Sequence, residues 1–358
     1  MRLQASMLLM LSAWLTGLAA PEPASAARPL VLVHVMPWFE TKAVSGQWGW
    51  HWTMGKTESD QGALASHDRP ALGPYDSSDP AVIATQVALI KASGVDGAII
   101  DWNGPEGFAD YEMIHRNTGL LIAQLRKAGL KFAVCVEDNP GHRYMQANQL
   151  TREQAVAKVA AAFAWVDQHW LNDPAYVRVS GRPVLFIFGP QFLSESEWPA
   201  IRSTLKNDPL TFALPHLSHR AGIDGAFAWV PVSDGKKVDA PTRSAELASL
   251  YAREAKSRRP TVAVAFPGYR DFYAQAGVGK SYGSIEYLDG KTFADTFDQA
   301  MNCGAPIVQI ATWNDYGEGT VIEPTVNRGT RDLEVVMRRL RPDADPAELK
   351  NILEKHKK

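Results

Sequence analysis

The sequence predicts an α/β protein built as a single (β/α)8 TIM barrel, and three observations lead to that prediction. Eight short apolar runs lack the alternation of a half-exposed strand, which is typical of parallel strands buried on both faces. Helical patterns separate most of the runs, and 358 residues exceed the ~250 that such a barrel needs. The runs are residues 29–38, 96–102, 131–138, 182–189, 210–217, 224–230, 261–269 and 305–313.

Glycines and capping residues mark the ends of the predicted helices. Gly94, Gly129 and Gly304 each follow a helical pattern and precede a strand, at the position where a left-handed residue ends a helix. Asp79 followed by proline predicts an N-cap, and Thr151 opens a capping box. The chain between the fifth and sixth runs is too short for a full helix, whereas a long loop follows the first strand.

The first 26 residues have the pattern of a secretory signal peptide. Arg2 precedes a short apolar run, and a small-residue cleavage site ends at Ala26. The run is shorter than the ~20 residues of a membrane span, although an uncleaved anchor is the alternative. We therefore expect export to a periplasm or the medium, no membrane attachment after cleavage, and one barrel domain over residues 27–358.

Charge and cysteine content exclude several classes of partner. The net charge of −2 provides no basic surface, so we expect no nucleic acid partner. Cys135 lies in an apolar run and Cys303 in a helix-to-strand turn, which favours two free thiols over a disulfide. No zinc-ligand spacing is present, and His216 with His219 is better explained as a polar loop. We predict neither a metal nor a cofactor.

Acidic and aromatic residues recur at the carboxyl ends of the predicted strands, where such barrels build their active sites. Aromatic rings cover the apolar faces of sugar rings, and carboxylates and amides bind the hydroxyl groups, so this composition predicts a carbohydrate site. The candidate residues are Trp38, Asp101, Trp102, Glu137, Trp229, Tyr269, Trp313, Asn314, Asp315 and Glu318, with Trp50, His51 and Trp52 in the long first loop.

Asp315 and Glu318 lie three residues apart after the eighth strand, so both can face one cavity. Paired carboxylates break glycosidic bonds, one as an acid and the other as a nucleophile or base. We predict that Glu318 is the general acid/base, with its pKa raised by burial or by Asp315, and that Asp315 is the second carboxylate. Asn314 would bind a hydroxyl or orient Asp315.

A structural role is open for several of these residues. Asp315 could cap a helix, Asp101 and Glu137 could support the reacting groups, and Trp102 and Trp229 could pack the barrel. Two further polar residues have mainly structural explanations: His34, as a satisfied barrel histidine, and Glu323, before a proline.

Four motifs resemble glycoside hydrolases of families 99 and 71, which are endo-α-mannosidases or mannanases and α-1,3-glucanases. The motifs are "MPWF", "WGWHWT", "GVDGAIIDW" and "TWNDYGEGTVIEPT", and the resemblance extends over residues 29–330. It implies a TIM-barrel enzyme that cleaves an α-linked oligo- or polysaccharide, α-mannan or α-glucan, by endo attack.

In the last motif, the resemblance implies roles for particular residues. The matching run of the endo-α-mannosidases is Asn-Glu-Trp-His-Glu-Gly, whose first Glu assists attack by the sugar 2-hydroxyl and whose second is the acid/base. By position these roles fall to Asp315 and Glu318. The chain departs from that run at Asp315, Tyr316 and Gly317, and its Trp-Asn-Asp-Tyr-Gly-Glu form is closer to the α-1,3-glucanases.

Three other functions remain as alternatives. A glycan-binding protein on a degenerate barrel would keep the aromatic residues without needing Glu318. A transglycosylating relative would transfer the sugar instead of hydrolysing it. A metal-dependent hydrolase would need converging histidine ligands, and the first strand lacks a His-x-His pair.

Overall fold

The computed structural model describes residues 28–232 and 235–356. Its centre is a barrel of eight parallel strands, which confirms the predicted fold class. The barrel strands are β1 Leu30–Val35, β2 Gly97–Trp102, β3 Lys131–Val136, β4 Arg182–Ile187, β5 Leu210–Ala213, β6 Gly225–Phe227, β7 Thr261–Ala265 and β8 Ile307–Ile310.

Strand pairing closes the barrel. β1 pairs with β8 on one side and with β2 on the other, and the pairing of β3 with β4 completes the circle. The short strand Arg178–Val179 lies outside, antiparallel to β4. A second small sheet contains Lys236–Val238, Tyr269–Arg270 and Gly283–Ile285.

Helices follow most of the strands and cover the outside of the barrel. The longer ones are α1 Pro80–Ser93, α2 Tyr111–Ala128, α3 Pro140–Asn148, α4 Arg152–His169, α5 Glu197–Arg202, α6 Ala240–Lys256, α7 Lys291–Asn302, α8 Arg331–Leu340 and α9 Ala347–His356. Helices of one turn span Lys42–Ser45, Trp50–Thr53 and Tyr273–Ala276, and 3-10 turns span Ser59–Gln61 and Leu288–Gly290.

The predicted helix ends are present. Asp79 caps α1 by accepting the backbone N–H of Ala81, and Thr151 forms both bonds of its capping box. Gly94 and Gly129 adopt the left-handed conformation after α1 and α2. As expected from its length, the described segment between β5 and β6 contains no helix.

One large apolar core fills the barrel and the space beneath its helices, and a smaller cluster lies under the long loop after β1. Cys135 and Cys303 are free thiols, as predicted. Within the described ranges, no helix is long and apolar enough to cross a bilayer. The predicted signal peptide lies outside the described residues.

Candidate active site

The turn after β8 places Asp315 and Glu318 at the carboxyl end of the barrel. The backbone N–H of Asp315 donates to the hydroxyl of Thr312 at 2.7 Å, and Asp315 Oδ1 accepts the N–H of Glu318 at 3.1 Å. Asp315 therefore closes a tight turn, and it does not cap a helix, because the next helix begins at Arg331.

The turn is also bound to the loop after β7. The carbonyls of Gly317 and Glu318 accept the N–H groups of Phe272 and Arg270, both at 2.9 Å. Gly319 has a φ of +67°, and a side chain there would bring its Cβ to 2.8 Å from the carbonyl oxygen of Arg270. Only glycine fits this close approach, so the sequence holds the turn with Asp315 and Glu318 in one conformation.

Asn314 fixes the same turn to β1, which corrects the prediction that it binds substrate. Its Oδ1 accepts the N–H of Met36 at 2.8 Å, and its Nδ2 donates to the carbonyl of Met36 at 2.9 Å and to the hydroxyl of Tyr75 at 3.0 Å. The amide is buried and used by these bonds. Asn314 thus holds the backbone that carries Asp315, which is the second role the sequence suggested.

Glu318 lies beside the hydroxyl groups of two tyrosines. Tyr273 donates its hydroxyl to Glu318 Oε1 at 3.3 Å, and the hydroxyl of Tyr269 faces the same carboxyl group. Burial first, and then the charge of Asp315, raise the pKa of Glu318 well above its usual value. The side chain can therefore keep a proton at neutral pH, as a general acid must.

The pKa of Asp315 is raised less than that of the nearby Asp101. Burial raises its pKa to about 6, and the N–H groups of Glu318 and Gly317 oppose the increase by binding the carboxylate. Burial and the charge of Asp315 raise the pKa of Asp101 to about 8. Glu137, which accepts a hydrogen bond from Asn103 at 3.2 Å, also has a raised pKa through burial and the charge of Asp101.

A cleft lined by aromatic side chains leads to Asp315. Trp38 and His51 stack with ring centroids 4.0 Å apart, and His51 Nε2 lies 3.1 Å from the carboxylate of Asp110. Trp50 is 46% exposed. These three side chains line the cleft together with Met54, Tyr273, Asp315 and Gly317. Trp38, Trp50 and His51 thus line a cleft, and their contact with sugar stays a prediction.

Three other tryptophans cannot reach a sugar, so their predicted substrate contacts are wrong. Trp52 is fully buried, donates to the carbonyl of Tyr75 at 2.8 Å and packs on Phe39. Trp102 is the last residue of β2 but lies among residues of α2 and α4, with its indole N–H 3.2 Å from His115. Trp313 is equally buried, in the main core.

Trp229 is half-buried at the end of β6, edge-on to His34 with ring centroids 5.0 Å apart and edge-on to Phe188 at 5.1 Å. Its position next to the barrel interior is compatible with both packing and sugar contact, so its predicted role stays a prediction. Tyr269 is buried and faces Glu318, which makes it a partner of the acid.

Tyr273 was not among the predicted site residues, although the aromatic stretch "YRDFY" in the loop after β7 was a signal that could have identified it. His34 was expected to have hydrogen-bond partners for both ring nitrogens, but among the described residues only its Nδ1 has one, Gln309 Oε1 at 3.3 Å.

Glu323 is structural as predicted, since Tyr75, Tyr316 and Gln86 all donate to it at 2.8–2.9 Å.

One group of side chains within residues 28–232 and 235–356 offers possible metal ligands. Ligand atoms of His34, Asp101 and Cys135 lie within 4.8 Å of one another, and all three residues are buried. The sequence did not predict this cluster, because it arises from the register of β1, β2 and β3. Asp101 and Cys135 are direct neighbours across β2 and β3.

Comparison with known proteins gives this geometry a context. The profile described as "Glycosyl hydrolase family 99" matches residues 38–345, which is most of the chain. The chain belongs to glycosyl hydrolase family 99. The match includes the loop tryptophans, the ends of β2 to β8 and the turn with Asp315 and Glu318, so the resemblance suggested by the motifs is confirmed.

Two vertebrate relatives and one bacterial structure illustrate the similarity to this family 99 chain. A zebrafish (Danio rerio) "Glycoprotein endo-alpha-1,2-mannosidase-like protein" is 23% identical over 290 residues, 75% of this chain and 61% of the relative. The mouse (Mus musculus) "Glycoprotein endo-alpha-1,2-mannosidase" is 20% identical over 287 residues, 75% and 58% of the two chains. The chain thus covers about six-tenths of these relatives.

The structural similarity extends over nearly the whole barrel. The GH99 endo-alpha-mannosidase from Bacteroides thetaiotaomicron superposes with a TM-score of 0.66 at 19% identity, covering 92% of this chain and 98% of the other. At this identity the superposition establishes a shared fold.

Proposed function

We propose that this family 99 protein is an endo-acting glycoside hydrolase that cleaves α-linked mannose in a glycan or polysaccharide. The main supporting observation is the turn after β8, which places Asp315 and Glu318 together beside a cleft lined by aromatic side chains. Burial raises the pKa of Glu318 well above its usual value and that of Asp315 to about 6. The names of the vertebrate relatives and of the bacterial structure support mannose, and the glucanase-like form of the turn makes α-glucan the second substrate to test.

The two carboxyl groups divide the reaction between them. Glu318 donates its proton to the glycosidic oxygen while the bond from that oxygen to the anomeric carbon breaks, and the bonding electrons remain on the leaving oxygen. Asp315, as carboxylate, removes the proton from the hydroxyl group that attacks the anomeric carbon, either the sugar 2-hydroxyl or water. If water attacks directly, Glu318 ends as the carboxylate and Asp315 as the acid, and proton exchange with solvent restores both. If the sugar 2-hydroxyl attacks, water then opens the resulting 1,2-anhydro sugar, Glu318 takes the proton of that water, and Asp315 returns its proton to the sugar 2-oxygen.

The aromatic side chains at the entrance hold the sugar chain in place. Trp38 stacks on His51, and the hydrogen bond between His51 and Asp110 helps to hold this pair of rings in place. Trp50 presents an exposed ring beside them, suited to the apolar face of a sugar. A sugar of the substrate would lie against these rings, and the names of the relatives support endo cleavage.

Hydrolysis of a panel of α-mannans and α-glucans tests the proposal. Wild type, Glu318→Gln and Asp173→Asn are compared by the oligosaccharides that they release. Asp173 is the matched control, because it is an acid at the opposite end of the barrel that pairs with Arg126. We expect release of mannose oligosaccharides by wild type and control, and a loss of about 10²–10⁴-fold in Glu318→Gln with binding retained.

Other results of the same panel would replace the proposal. Binding of a glycan without cleavage by any form would favour the glycan-binding protein. Cleavage restricted to α-glucans would reassign the substrate. Full activity in Glu318→Gln would remove the acid from the proposed site and make Asp101 and Glu137 the next residues to test.

We also propose that the protein is exported to a periplasm or the medium. The charged start, the short apolar run and the small-residue site before Ala27 support this proposal. N-terminal sequencing of protein recovered from the periplasm or medium should begin at Ala27. Retention of Met1 in cytoplasmic protein would contradict it.

A further inference from the structure

The turn with Asp315 and Glu318 lies between two loops, because of the order of the barrel strands. β8, which precedes this turn, pairs with β1 on one side and with β7 on the other. The end of β1 and its loop contribute Trp38, Trp50 and His51, which form one wall of the cleft. The loop after β7 borders the turn on its other side, and the proposed reaction assigns no function to its exposed side chains.

Two tyrosines of the loop after β7 extend from the acid to the surface. Tyr273 lines the cleft and donates its hydroxyl to Glu318 Oε1 at 3.3 Å. The ring of Tyr282 meets the ring of Tyr273 edge-on, with centroids 5.8 Å apart and planes at 89°. Tyr282 is 55% exposed, more than Trp50 at 46%. The loop therefore presents a second aromatic wall beside the cleft, the tyrosine wall (Tyr273 and Tyr282).

Hydrogen bonds fix the tyrosine wall relative to the acid. The N–H of Phe272 donates to the carbonyl of Gly317 at 2.9 Å, which ties the start of the loop to the turn after β8. Asp271 is buried, and its Oδ2 accepts the N–H of Tyr282 at 2.7 Å and the hydroxyl of Ser281 at 2.9 Å. An exposed ring on a backbone that is already fixed loses little freedom when a ligand binds, so the wall is suited to binding.

The chemistry of the tyrosine wall suits a sugar. A tyrosine ring offers a flat apolar face to the C–H groups of a sugar and a hydroxyl to its oxygen atoms. In the described part of the chain Tyr282 belongs to none of the three apolar clusters, so its ring does not serve the core. An exposed aromatic ring that continues the lining of a cleft is typical of a binding surface.

The position of the acid indicates which part of the substrate reaches this wall. Glu318 gives its proton to the leaving oxygen, so the sugar that departs lies beside Glu318 and hence beside Tyr273. We propose that Tyr273 and Tyr282 form a binding subsite for the leaving part of the glycan, across the turn from the aromatic side chains of the loop after β1. The inference deepens the proposed hydrolase function and rests on it. Endo cleavage needs sugar contacts on both sides of the bond that breaks, and the two walls supply them.

Gly317 keeps the floor between the two walls open. It lines the cleft, and a Cβ at this position would lie 3.0 Å from Met54 Cε and 3.5 Å from Asp315 Oδ1. Any larger side chain would narrow the cleft further. The sequence thus has glycine at the point where a sugar chain in contact with both walls would cross the turn.

A purely structural role for Tyr282 is the competing explanation. In that case its ring supports only Tyr273, and through it the acid, so a substitution reduces the rate on every substrate alike. A subsite predicts a different result, because only a substrate with a sugar beyond the leaving oxygen can reach Tyr282.

Rates on two substrates distinguish these explanations. One is an α-linked oligosaccharide with sugars on both sides of the bond, and the other is the glycosyl fluoride of the same donor part, which has no sugar on the leaving side. For Tyr282→Ala we expect kcat/KM to fall about 3–10-fold on the oligosaccharide, mainly through KM, and to stay within about twofold of wild type on the fluoride.

Two control variants accompany Tyr282→Ala. Tyr282→Phe keeps the ring, so it should stay within about twofold of wild type on both substrates. Leu120→Ala removes an apolar side chain that is 41% exposed on α2, outside the site, and should change neither rate. The variants at position 282 should fold, because the bonds to Asp271 and Gly235 involve backbone groups that Ala and Phe retain.

The possible outcomes separate the subsite from the hydrolase function. An equal loss on both substrates, or no loss on the oligosaccharide in Tyr282→Ala, would overturn the subsite and leave the hydrolase function intact. An inactive wild type would contradict the hydrolase function, and calorimetric binding of the same oligosaccharide would then decide the inference. We expect a Kd about 3–10-fold higher in Tyr282→Ala. An unchanged Kd, or no binding by wild type, would overturn the subsite as well.

Discussion

The acidic side chains considered at the two ends of the barrel differ in whether they have a cationic partner. At the amino ends of the strands three acids have cationic partners: Asp96 binds Arg28 at 2.7 Å, Asp173 binds Arg126, and Asp208 binds Arg182 at 3.1 Å. At the carboxyl ends, Asp101, Glu137, Asp315 and Glu318 form no ion pair with a described lysine or arginine, and burial raises the pKa of each.

This difference indicates that the acids at the amino end contribute to stability, whereas those at the carboxyl end can take part in proton transfer. A paired carboxylate on the surface gives a small stabilisation and stays ionised. A buried carboxyl group without a cationic partner costs free energy when it ionises, but it can take up or release a proton near neutral pH. The carboxyl end therefore has the properties of a catalytic site, and the amino end those of a structural one.

The largest expected effect is on activity. Asp315→Asn removes the group that accepts a proton from the attacking hydroxyl, so kcat/KM should fall by about 10²–10⁴-fold. The Asn side chain can still accept the N–H of Glu318, so the turn should keep its shape. Initial rates on the preferred glycan measure the effect, and equal activity of Asp315→Asn and Asp173→Asn would remove the distinction between the two ends.

The second prediction compares two tryptophans at the carboxyl end of the barrel, one expected to contribute to stability and the other to substrate binding. Trp52→Ala empties a fully buried site and should cost about 3–5 kcal/mol of unfolding free energy. Trp50→Ala should leave stability unchanged and weaken substrate binding by about 0.5–1.5 kcal/mol, because its exposed ring packs on no core. Denaturant unfolding and KM values give both numbers. Destabilisation by Trp50→Ala would contradict the assignment of Trp50 to the cleft.

The pH dependence of activity should reflect the proton affinity of Asp315. Its pKa of about 6 means that the reactive carboxylate is lost as the pH falls below that value. We expect kcat/KM to decline about tenfold per pH unit below pH 6, and to be unchanged by Asp173→Asn. A rate that stays constant down to pH 4 would show that Asp315 acts without ionising or has an ordinary pKa.

The smallest expected effect is on thermal stability, which should rise in Asp315→Asn and fall in Asp173→Asn. The pKa of Asp315 is higher in the folded protein, about 6, than the ~3.9 of an unfolded chain, so stability is lost as the pH rises through this window. Asp315→Asn should therefore raise the Tm at pH 8 by at least about 2 °C and give no gain at pH 4.

Asp173→Asn should instead lower the Tm, by about 2 °C, because Asp173 binds Arg126 and accepts the N–H of Ala175. Thermal unfolding of both variants at pH 4 and pH 8 provides the comparison. A decrease in Tm at pH 8 for both would mean that Asp315 is stabilising, contrary to its raised pKa.

The fold was predictable because its signals are local. Buried runs, capping residues such as Asp79 and Thr151, and glycines after helices mark the order of strands and helices, and that order determines which residues stand at strand ends. The turn with Asp315 and Glu318 followed directly from this reasoning.

The roles of individual side chains were less predictable because they depend on direction and register. β2 is buried on both faces, so the sequence does not show that Asp101 points into the barrel while Trp102 points towards the helices. Trp50 and Trp52 lie in one helical turn, but only the fold exposes the first and buries the second. The contact between His34 and Asp101 depends on the alignment of two strands.

The division of roles between Glu318 and Asp315 is tested most directly with two substrates that share a sugar and differ in their leaving group. One is a natural α-linked glycan, and the other carries a nitrophenolate, which needs no proton to depart. The account predicts that Glu318→Gln recovers most of its lost rate on the activated substrate, whereas Asp315→Asn remains slow on both. Recovery by Asp315→Asn alone, or by neither variant, would contradict the assignment of Glu318 as the acid.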